Sequence, residues 1–177
     1  FEESWLVDYG VLWGDPAKTG DGSVWADAKR IISTPLRHVR GSEMRIMATA
    51  VDSGGHHTHE VYQFARLNRH LHVFAVKGIS QAGRPILGKP TVVDVNYRGE
   101  KIKRGAQLWL IGTDTAKSLI FGRLKVTDPG PGCVHFSREL PSDYYQQLTS
   151  ERLVTRYVKG RPRLEWVKPS GARNEAL

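Results

Sequence analysis

The chain has 177 residues, a formal net charge of +8 at pH 7 and one cysteine, Cys133. One cysteine excludes an intrachain disulfide and a cysteine-rich zinc site, and no apolar run approaches the roughly 20 residues of a membrane span. The basic balance favours polyanions, so we expect nucleic acid and no membrane as a partner. The length predicts one domain, and the chain starts without Met almost inside a strand, as an excised fragment would.

The N-terminal part predicts a strand followed by a helix. Residues 4–12 are rich in aromatic and β-branched side chains, which is typical of a strand. Asp21-Gly22-Ser23 indicates a helix start, because apolar residues at helical spacing follow over residues 24–32.

The next segment predicts a β–α–β unit. The continuous apolar run 45–51 favours a strand buried on both faces that ends at Asp52. A helix is expected from Thr58, and a second apolar strand at 72–76 ends at Lys77. Such a unit has parallel strands joined by a right-handed crossover.

The C-terminal half predicts shorter elements. Residues 79–105 are expected to form a hairpin-like insertion that includes a weak strand at 91–95. The elements expected after it are a strand at 107–111, a helix at 116–124, a strand at 133–136, a helical turn at 144–148, a hairpin at 154–167 and the start of a helix at 173–177. Together the elements predict an α/β fold with a mixed, mostly parallel sheet flanked by helices.

Asp52 is the leading candidate for a catalytic, metal-binding carboxylate. It closes an apolar strand, and ligands of parallel α/β sheets bind outside the carboxyl ends of the strands. Ser53-Gly54-Gly55 follows, where backbone can approach a ligand closely. A carboxylate here suits a hard divalent cation, whereas a helix N-cap is the weaker alternative because the next helix starts several residues later.

Asp114 also follows a predicted strand, but it directly precedes a helix. We therefore favour an N-cap over a metal ligand, and both alternatives stay open. Gly112 to Lys117 places backbone N–H groups at a helix start and a lysine one turn later, which suits a phosphate. The segment does not match the Walker pattern, so ATP hydrolysis is not expected.

Three histidines, His56, His57 and His59, follow the two glycines. Imidazole suits zinc or nickel, but this spacing matches no closed zinc set, and loop histidines are more often hydrogen-bonded or solvated. We predict instead that His57 is a proton shuttle near neutral pH.

Basic side chains are candidates for phosphate contact. Their excess is concentrated in residues 84–125 and 151–177. The predicted DNA-contacting residues are Lys77, Lys101, Lys103, Arg104, Lys117 and Arg173. Lys77 and Lys117 are expected at the same sheet edge as Asp52, where they would neutralise phosphate charge, and Lys77 is thereby also a catalytic candidate.

Several segments resemble, in order, those of one family. Residues 50–58, Ala-Val-Asp-Ser-Gly-Gly-His-His-Thr, with Val61-Tyr62, are similar to the hallmark segment of the GpA-type large terminase subunit of lambda-like tailed phages. The other matching segments are 4–9, 14–16, 73–78, 111–117, 134–136, 147–151 and 173–177. The resemblance covers the whole chain, and ordered motifs are far more specific than any single one.

This resemblance implies the nuclease domain of a DNA-packaging motor with an RNase H-like fold. Such domains cut concatemeric viral DNA with a divalent metal, expected to be Mg²⁺ or Mn²⁺. Double-stranded DNA, a small terminase subunit and the portal of the procapsid are the implied partners, and the host cytoplasm is the implied location. The family's ATPase domain is expected upstream.

The resemblance also implies three acidic metal ligands. Asp52 matches the one on the central strand, a second is expected upstream of residue 1, and a third directly after residue 177. We therefore expect residues 1–177 to be a single nuclease domain truncated at both ends. Glu175 is a nearby substitute or supporting carboxylate.

Two other functions fit parts of the sequence. A non-catalytic DNA-binding or docking module would use the same basic residues. A small-molecule enzyme would bind a phosphorylated metabolite at residues 112–117. A metal-dependent endodeoxyribonuclease accounts for Asp52, the basic residues and the ordered motifs together.

Overall fold

The structure of the chain is a computed structural model. It describes residues 3–95 and 101–176, and of residues 94, 95 and 101–104 it describes the backbone alone. The chain divides into two compact units. The first unit comprises residues 1–10, 80–86 and 112–177, and the second unit comprises residues 11–79 and 87–111.

The described residues form ten strands and four α-helices. The strands are β1 (Ser4–Leu6), β2 (Leu36–Arg37), β3 (Glu43–Met44), β4 (Thr49–Asp52), β5 (Val73–Ile79), β6 (Thr91–Val95), β7 (Lys101–Gly112), β8 (Val134–Phe136), β9 (Arg152–Val158) and β10 (Arg161–Val167). The helices are α1 (Val24–Ser33), α2 (Thr58–Leu67), α3 (Thr113–Arg123) and α4 (Ser142–Leu148). No helix within these residues is long and apolar enough to cross a bilayer.

The second unit contains a four-stranded sheet with the strand order β4-β5-β7-β6. β4 and β5 are parallel, with Thr49 opposite Val73 and Asp52 opposite Val76, which confirms the predicted β–α–β unit. β6 and β7 are antiparallel, so the predicted hairpin-like insertion is also present. These pairings confirm a mixed α/β architecture with helices against the sheet.

Helix α2 supplies the core of the second unit. Val61, Phe64 and Ala65 lie at i, i+3 and i+4, so they share one face of the helix and are buried against Val73 and Ala75 of β5. Each fully buried side chain of the size of valine or phenylalanine stabilises the fold by about 1.5–3 kcal/mol.

Helix α1 begins where the sequence predicts. Its N-cap is Ser23, whose Oγ accepts a hydrogen bond from the backbone N–H of Ala26. The indole of Trp25 then packs on Phe64 of α2, with ring centroids 5.1 Å apart. The first helix is thus fixed to the core by its first turn.

The first unit is built around two small sheets. β1 and β8 are parallel, with Ser4 opposite Val134. β9 and β10 form an antiparallel ribbon, which confirms the predicted hairpin. Lys159 and Gly160 connect its strands with φ angles of 51° and 75°, as a two-residue hairpin turn with two positive φ angles requires.

Burial of the strand before Asp52 differs from the prediction. β4 starts only at Thr49, and Ala50 and Asp52 are exposed whereas Thr49 and Val51 are half-buried. β4 lies at the edge of the sheet formed by the described residues, and α2 packs on one of its faces. Alternation along the strand therefore decides which side chains are covered.

Other expectations about element bounds are also wrong, and β7 and α3 start earlier than predicted. β1 is only three residues long because its partner β8 is equally short. β5 continues to Ile79, so Lys77 lies within the strand instead of at its end. Residues 173–176 are not helical, and the Asn174 side chain donates to Glu151 within the first unit.

Candidate active site

The carboxylate of Asp52 is exposed at the end of β4. Its Oδ1 atom accepts a hydrogen bond of 3.0 Å from the backbone N–H of Gly54. Gly54 lies so close that a Cβ atom there would be 3.3 Å from Oδ1 and 3.4 Å from Oδ2. A side chain at position 54 would therefore crowd the Asp52 carboxylate.

The loop after Asp52 is held by hydrogen bonds that do not involve the carboxylate. The backbone N–H and the Oγ of buried Ser53 both donate to the carbonyl of Val76, each at 2.8 Å. Thr58 Oγ1 lies 2.8 Å from the carbonyl oxygen of Ser53 and 2.9 Å from that of Gly55. Strand β5 and the start of α2 thus fix the position of Asp52.

His57, not Asp52, occupies the N-cap position of α2, and it makes no side-chain capping bond. The alternative role of Asp52 as a helix cap is therefore wrong. His57 Nδ1 lies 3.9 Å from Glu60 Oε2, an ion pair only when the imidazole is protonated. The imidazole is partly exposed, as a proton shuttle needs, and its role stays a prediction.

Metal clusters of the kind that three neighbouring histidines suggested are absent from the described part of the chain. No group of three or more His, Cys, Asp or Glu side chains within residues 3–95 and 101–176 could hold a metal ion. Asp52 contributes one oxygen-donor side chain, and such donors suit Mg²⁺ and Mn²⁺ better than zinc.

Lys77 is near Asp52 along the sheet but on its other face. Asp52 is paired with Val76, so the side chains of Asp52 and Val76 lie on the same face of the sheet. Because side chains alternate along a strand, Lys77 projects to the face that carries α2. The lysine is exposed, and its contact with DNA stays a prediction.

Asp114 lies in the first unit and is not the N-cap of α3. That position belongs to Gly112, which makes the favoured N-cap interpretation wrong. The Asp114 Oδ1 atom accepts a hydrogen bond of 2.9 Å from Ser80 Oγ. A carboxylate in the first turn still favours the helix through the macrodipole.

Backbone carbonyl groups, not an open cradle, surround the start of α3. A Cβ atom on Gly112 would lie 2.5 Å from the carbonyl oxygen of Pro85 and 2.7 Å from that of Arg84. Thr115 Oγ1 also donates to the Arg84 carbonyl at 2.6 Å, and the Gly112 N–H donates to Ile86 at 3.1 Å. This arrangement does not support the expected phosphate site at residues 112–117.

Lys117 is engaged in a largely buried ion pair. Its Nζ atom lies 2.7 and 2.6 Å from the two carboxylate oxygens of Glu151, whose side chain is only 4% exposed. Asn174 Nδ2 donates to the same carboxylate at 2.6 Å, and Lys168 Nζ donates to Asn174 Oδ1 at 3.2 Å. The Lys117 ammonium therefore has a structural partner, and its role as a DNA contact stays a prediction.

Glu175 and Arg173 form an exposed pair near the C-terminal end of the described residues. Arg173 Nε lies 3.3 Å from Glu175 Oε2. A hydrogen bond from its own backbone N–H, and then the charge of Arg173, hold the pKa of the Glu175 carboxyl below its ordinary value. Glu175 is thus a carboxylate at neutral pH, a form suited to metal binding and not to proton donation.

The remaining basic candidates are Lys101, Lys103 and Arg104. They belong to β7, and their side chains lie outside the described residues, so their contacts with DNA stay predictions.

Comparison with known proteins identifies the family. A family model described as terminase large subunit gpA, endonuclease domain, matches residues 1–177. The chain belongs to this gpA endonuclease-domain family. The resemblance seen in the ordered motifs is thereby confirmed.

Two curated relatives of the gpA-family chain are terminase large subunits. That of Escherichia phage lambda is 32% identical over 99% of the chain, and that of Enterobacteria phage P21 is 34% identical over the same share. The chain spans about a quarter of each relative, 27% of its length. No solved structure matches the chain.

Sequence reasoning missed the role of Glu151 in this gpA-family chain. Glu151 binds Lys117 and Asn174, and these three residues lie in three of the segments that resemble the family. A charged residue at the boundary of a helix and a strand carries no sign of burial, so its spacing could not reveal the ion pair. The only signal was that all three segments belonged to the resemblance.

Proposed function

We propose that the chain is the divalent-metal-dependent endodeoxyribonuclease domain of a phage DNA-packaging terminase, and that it cuts concatemeric viral DNA. The observation that carries this proposal is the exposed Asp52 carboxylate, held by a hydrogen-bonded loop at the end of β4. Membership of an endonuclease-domain family over residues 1–177 supports it. An RNase H-like fold, with which the parallel β4–α2–β5 unit is compatible, and a single nuclease domain over residues 1–177 are parts of this proposal.

The donor chemistry of Asp52 fits Mg²⁺ or Mn²⁺. When bound, such an ion supplies Lewis-acid stabilisation of a phosphoryl oxygen and lowers the pKa of a bound water. Asp52 is the proposed ligand in the second unit. Asp114 is a separately proposed ligand in the first unit, and Glu175 is proposed as a substitute or supporting carboxylate there. Asp52 Oδ1 is already oriented by Gly54, so the carboxylate needs little reorganisation to hold a cation.

The other proposed residues act on charge and protons. Lys77, Lys101, Lys103, Arg104, Lys117 and Arg173 are proposed to contact phosphates of double-stranded DNA. Lys77 also stabilises charge during cleavage, and His57 shuttles a proton in this proposal. A small terminase subunit and the procapsid portal are the proposed protein partners, in the host cytoplasm.

The test is plasmid nicking with Mn²⁺ by the full-length protein that carries this chain. Asp52→Asn keeps an oxygen to accept the Gly54 N–H but removes the charge, so we expect the rate to fall at least about 100-fold. Asp128→Asn, at an exposed turn, is the matched control and should nick at the wild-type rate. Nicking by Asp52→Asn as fast as by wild type would overturn the catalytic assignment.

A non-catalytic DNA-binding or docking module is the second candidate. It is favoured by exposed basic side chains such as Lys77 and Arg173, which can contact phosphates without any metal-binding carboxylate. In that case wild type and Asp52→Asn would bind DNA with the same steep dependence on salt, and neither would nick it.

A further inference from the structure

The ribbon of β9 and β10 separates its side chains by chemistry. Arg163 is paired with Arg156, Leu164 with Thr155, and Trp166 with Leu153. Since paired residues of antiparallel strands share a face, the strands present one arginine-rich face and one largely apolar face. The residues of the arginine face are Arg152, Val154, Arg156, Val158, Arg161, Arg163, Glu165 and Val167.

The apolar face is directed at helix α3. Trp166 packs on Phe121 of α3 with ring centroids 4.8 Å apart. Leu153 and Leu164 line a cavity of about 230 Å³ together with Thr115 and Ser118 of that helix. The arginine face is therefore on the side of the ribbon that points away from α3.

The arginine face carries an uncompensated positive charge. Arg152, Arg156, Arg161 and Arg163 are all exposed, and only Arg156 has an ion-pair partner within the described residues, Glu165 at 3.2 Å. Like charges directly opposite each other on an antiparallel pair are destabilising, as Arg156 and Arg163 are here. A polyanion lying on this face would offset that repulsion.

We propose that the arginine face of the β9–β10 ribbon contacts the phosphate backbone of double-stranded DNA. The inference rests on the proposed function, because it assigns a further part of the chain to the same DNA. Planar guanidinium groups bind phosphate with two parallel hydrogen bonds, so arginines suit this contact better than lysines do. A two-stranded ribbon is also narrow enough to lie in the major groove.

The test measures how the affinity of the 177-residue chain for a DNA duplex depends on salt. The double variant Arg161→Gln/Arg163→Gln removes two charges from the face, and Lys125→Gln/Arg138→Gln removes two exposed charges elsewhere in the first unit as the control. Each lost phosphate contact lowers the slope of log K against log salt by about 0.9. We therefore expect the ribbon variant to lose about 1.8 in slope and to bind roughly 60-fold more weakly at 0.1 M salt.

The outcomes separate this inference from the proposed function. If the wild type and the ribbon variant bound DNA with the same salt dependence, the inference would be overturned and the proposed function would stand. A control variant that loses as much slope as the ribbon variant would also overturn it, since the effect would then be general charge. No salt-dependent binding of duplex DNA by the wild type would overturn the proposed function as well.

Three further measurements protect the interpretation. The assigned indole N–H resonance of Trp166, which packs on Phe121, should be unchanged in the NMR spectrum of the ribbon variant, and this would show that the ribbon is still folded. The same salt titration is then done with duplex RNA. If the wild type bound RNA as tightly as DNA, and the ribbon variant lost the same slope on RNA, the assignment to DNA would be overturned. In the full-length protein, the ribbon variant should raise KM for plasmid nicking and leave kcat unchanged.

Discussion

The ammonium of Lys117 contacts both carboxylate oxygens of Glu151, at 2.7 and 2.6 Å, although 34 residues separate them along the chain. Lys117 belongs to α3, and Glu151 directly precedes β9. Asn174 adds a hydrogen bond of 2.6 Å to the same carboxylate. This one buried side chain therefore ties a helix, the base of the ribbon and the C-terminal segment together.

The first prediction concerns the stability of this ion pair. Removing one member of a buried pair leaves an uncompensated charge, at a cost of about 3–5 kcal/mol. Lys117→Met should lower the free energy of unfolding by about 3 kcal/mol because Glu151 is 4% exposed. Glu151→Gln should cost less, since Lys117 is 20% exposed and reaches water.

Urea denaturation of the two variants and of their combination checks this prediction. The double variant should be more stable than the sum of the single effects implies, because no unpaired charge is left. Glu165→Gln breaks the exposed pair with Arg156 and is the control, with an expected cost of at most about 1 kcal/mol. Additive effects of the Lys117 and Glu151 changes would contradict the coupling.

The second prediction uses the glycine next to Asp52. A Cβ atom in Gly54→Ala would lie 3.3 Å from Asp52 Oδ1, so the carboxylate must shift by a few tenths of an ångström. We expect plasmid nicking to fall roughly tenfold, since small displacements of catalytic groups are costly. Gly55→Ala is the matched control, because nothing lies within 4 Å of its Cβ position.

Thermal unfolding shows whether a slower Gly54→Ala variant has a displaced Asp52 carboxylate or a destabilised fold. Neither glycine has the positive φ that disfavours alanine, so both variants should unfold at or slightly above the wild-type temperature. Equal nicking rates of Gly54→Ala and Gly55→Ala would show that the position of the Asp52 carboxylate does not limit cleavage.

The third prediction is the titration of Glu175. Its own backbone N–H and Arg173 lower the pKa of its carboxyl, so the folded value lies below the unfolded one. Any stabilisation from this group is then present above the ordinary pKa and is lost as the pH falls through the folded value. Arg173→Gln should raise the pKa part of the way back, because the backbone hydrogen bond is kept.

NMR titration of the Glu175 side-chain carboxyl carbon measures this shift. Arg138→Gln is the control, as its exposed charge lies outside the 173–175 pair. A Glu175 pKa that does not respond to Arg173→Gln would mean that the ion pair of 3.3 Å is not populated in solution.

Local sequence signals predicted the elements that depend on local chemistry. Ser23 marks the start of α1 because a serine hydroxyl caps the helix, and Gly160 marks the ribbon turn because its φ is 75°. The position of Asp52 at a strand end also follows from the apolar run before it. These features depend on neighbours within a few residues, which a sequence displays directly.

Features set by distant partners could not be predicted in this way. The face of Lys77 depends on the register of β4 against β5, and the ion pair of Lys117 depends on how Glu151 packs. The start of α3 looked like a phosphate site because the sequence does not show that the carbonyl of Arg84 lies beside Gly112. In each case the deciding contact joins residues far apart in sequence.

The fourth prediction concerns Ser53, which fixes the loop that carries Asp52. Ser53→Ala removes the Oγ hydrogen bond of 2.8 Å to the Val76 carbonyl but keeps the backbone N–H bond to the same oxygen. No buried acceptor is left without a donor, so we expect a loss of about 1 kcal/mol in the free energy of unfolding. Hydrogen exchange at the Ser53 amide should become faster as the loop opens more often.

Ser118→Ala is the control, because its hydroxyl bonds to the Asp114 carbonyl at an exposed site of α3. That change should stay within about 0.5 kcal/mol of wild type. If Ser53→Ala were equally mild and left amide exchange unchanged, the Ser53 hydroxyl would not be needed to hold the loop. The backbone N–H bond of residue 53 and the contacts of the Thr58 hydroxyl to the carbonyls of residues 53 and 55 would then be sufficient. Thr58→Val, which removes that hydroxyl, should then release the loop and slow plasmid nicking, whereas Ser53→Ala would leave the rate intact.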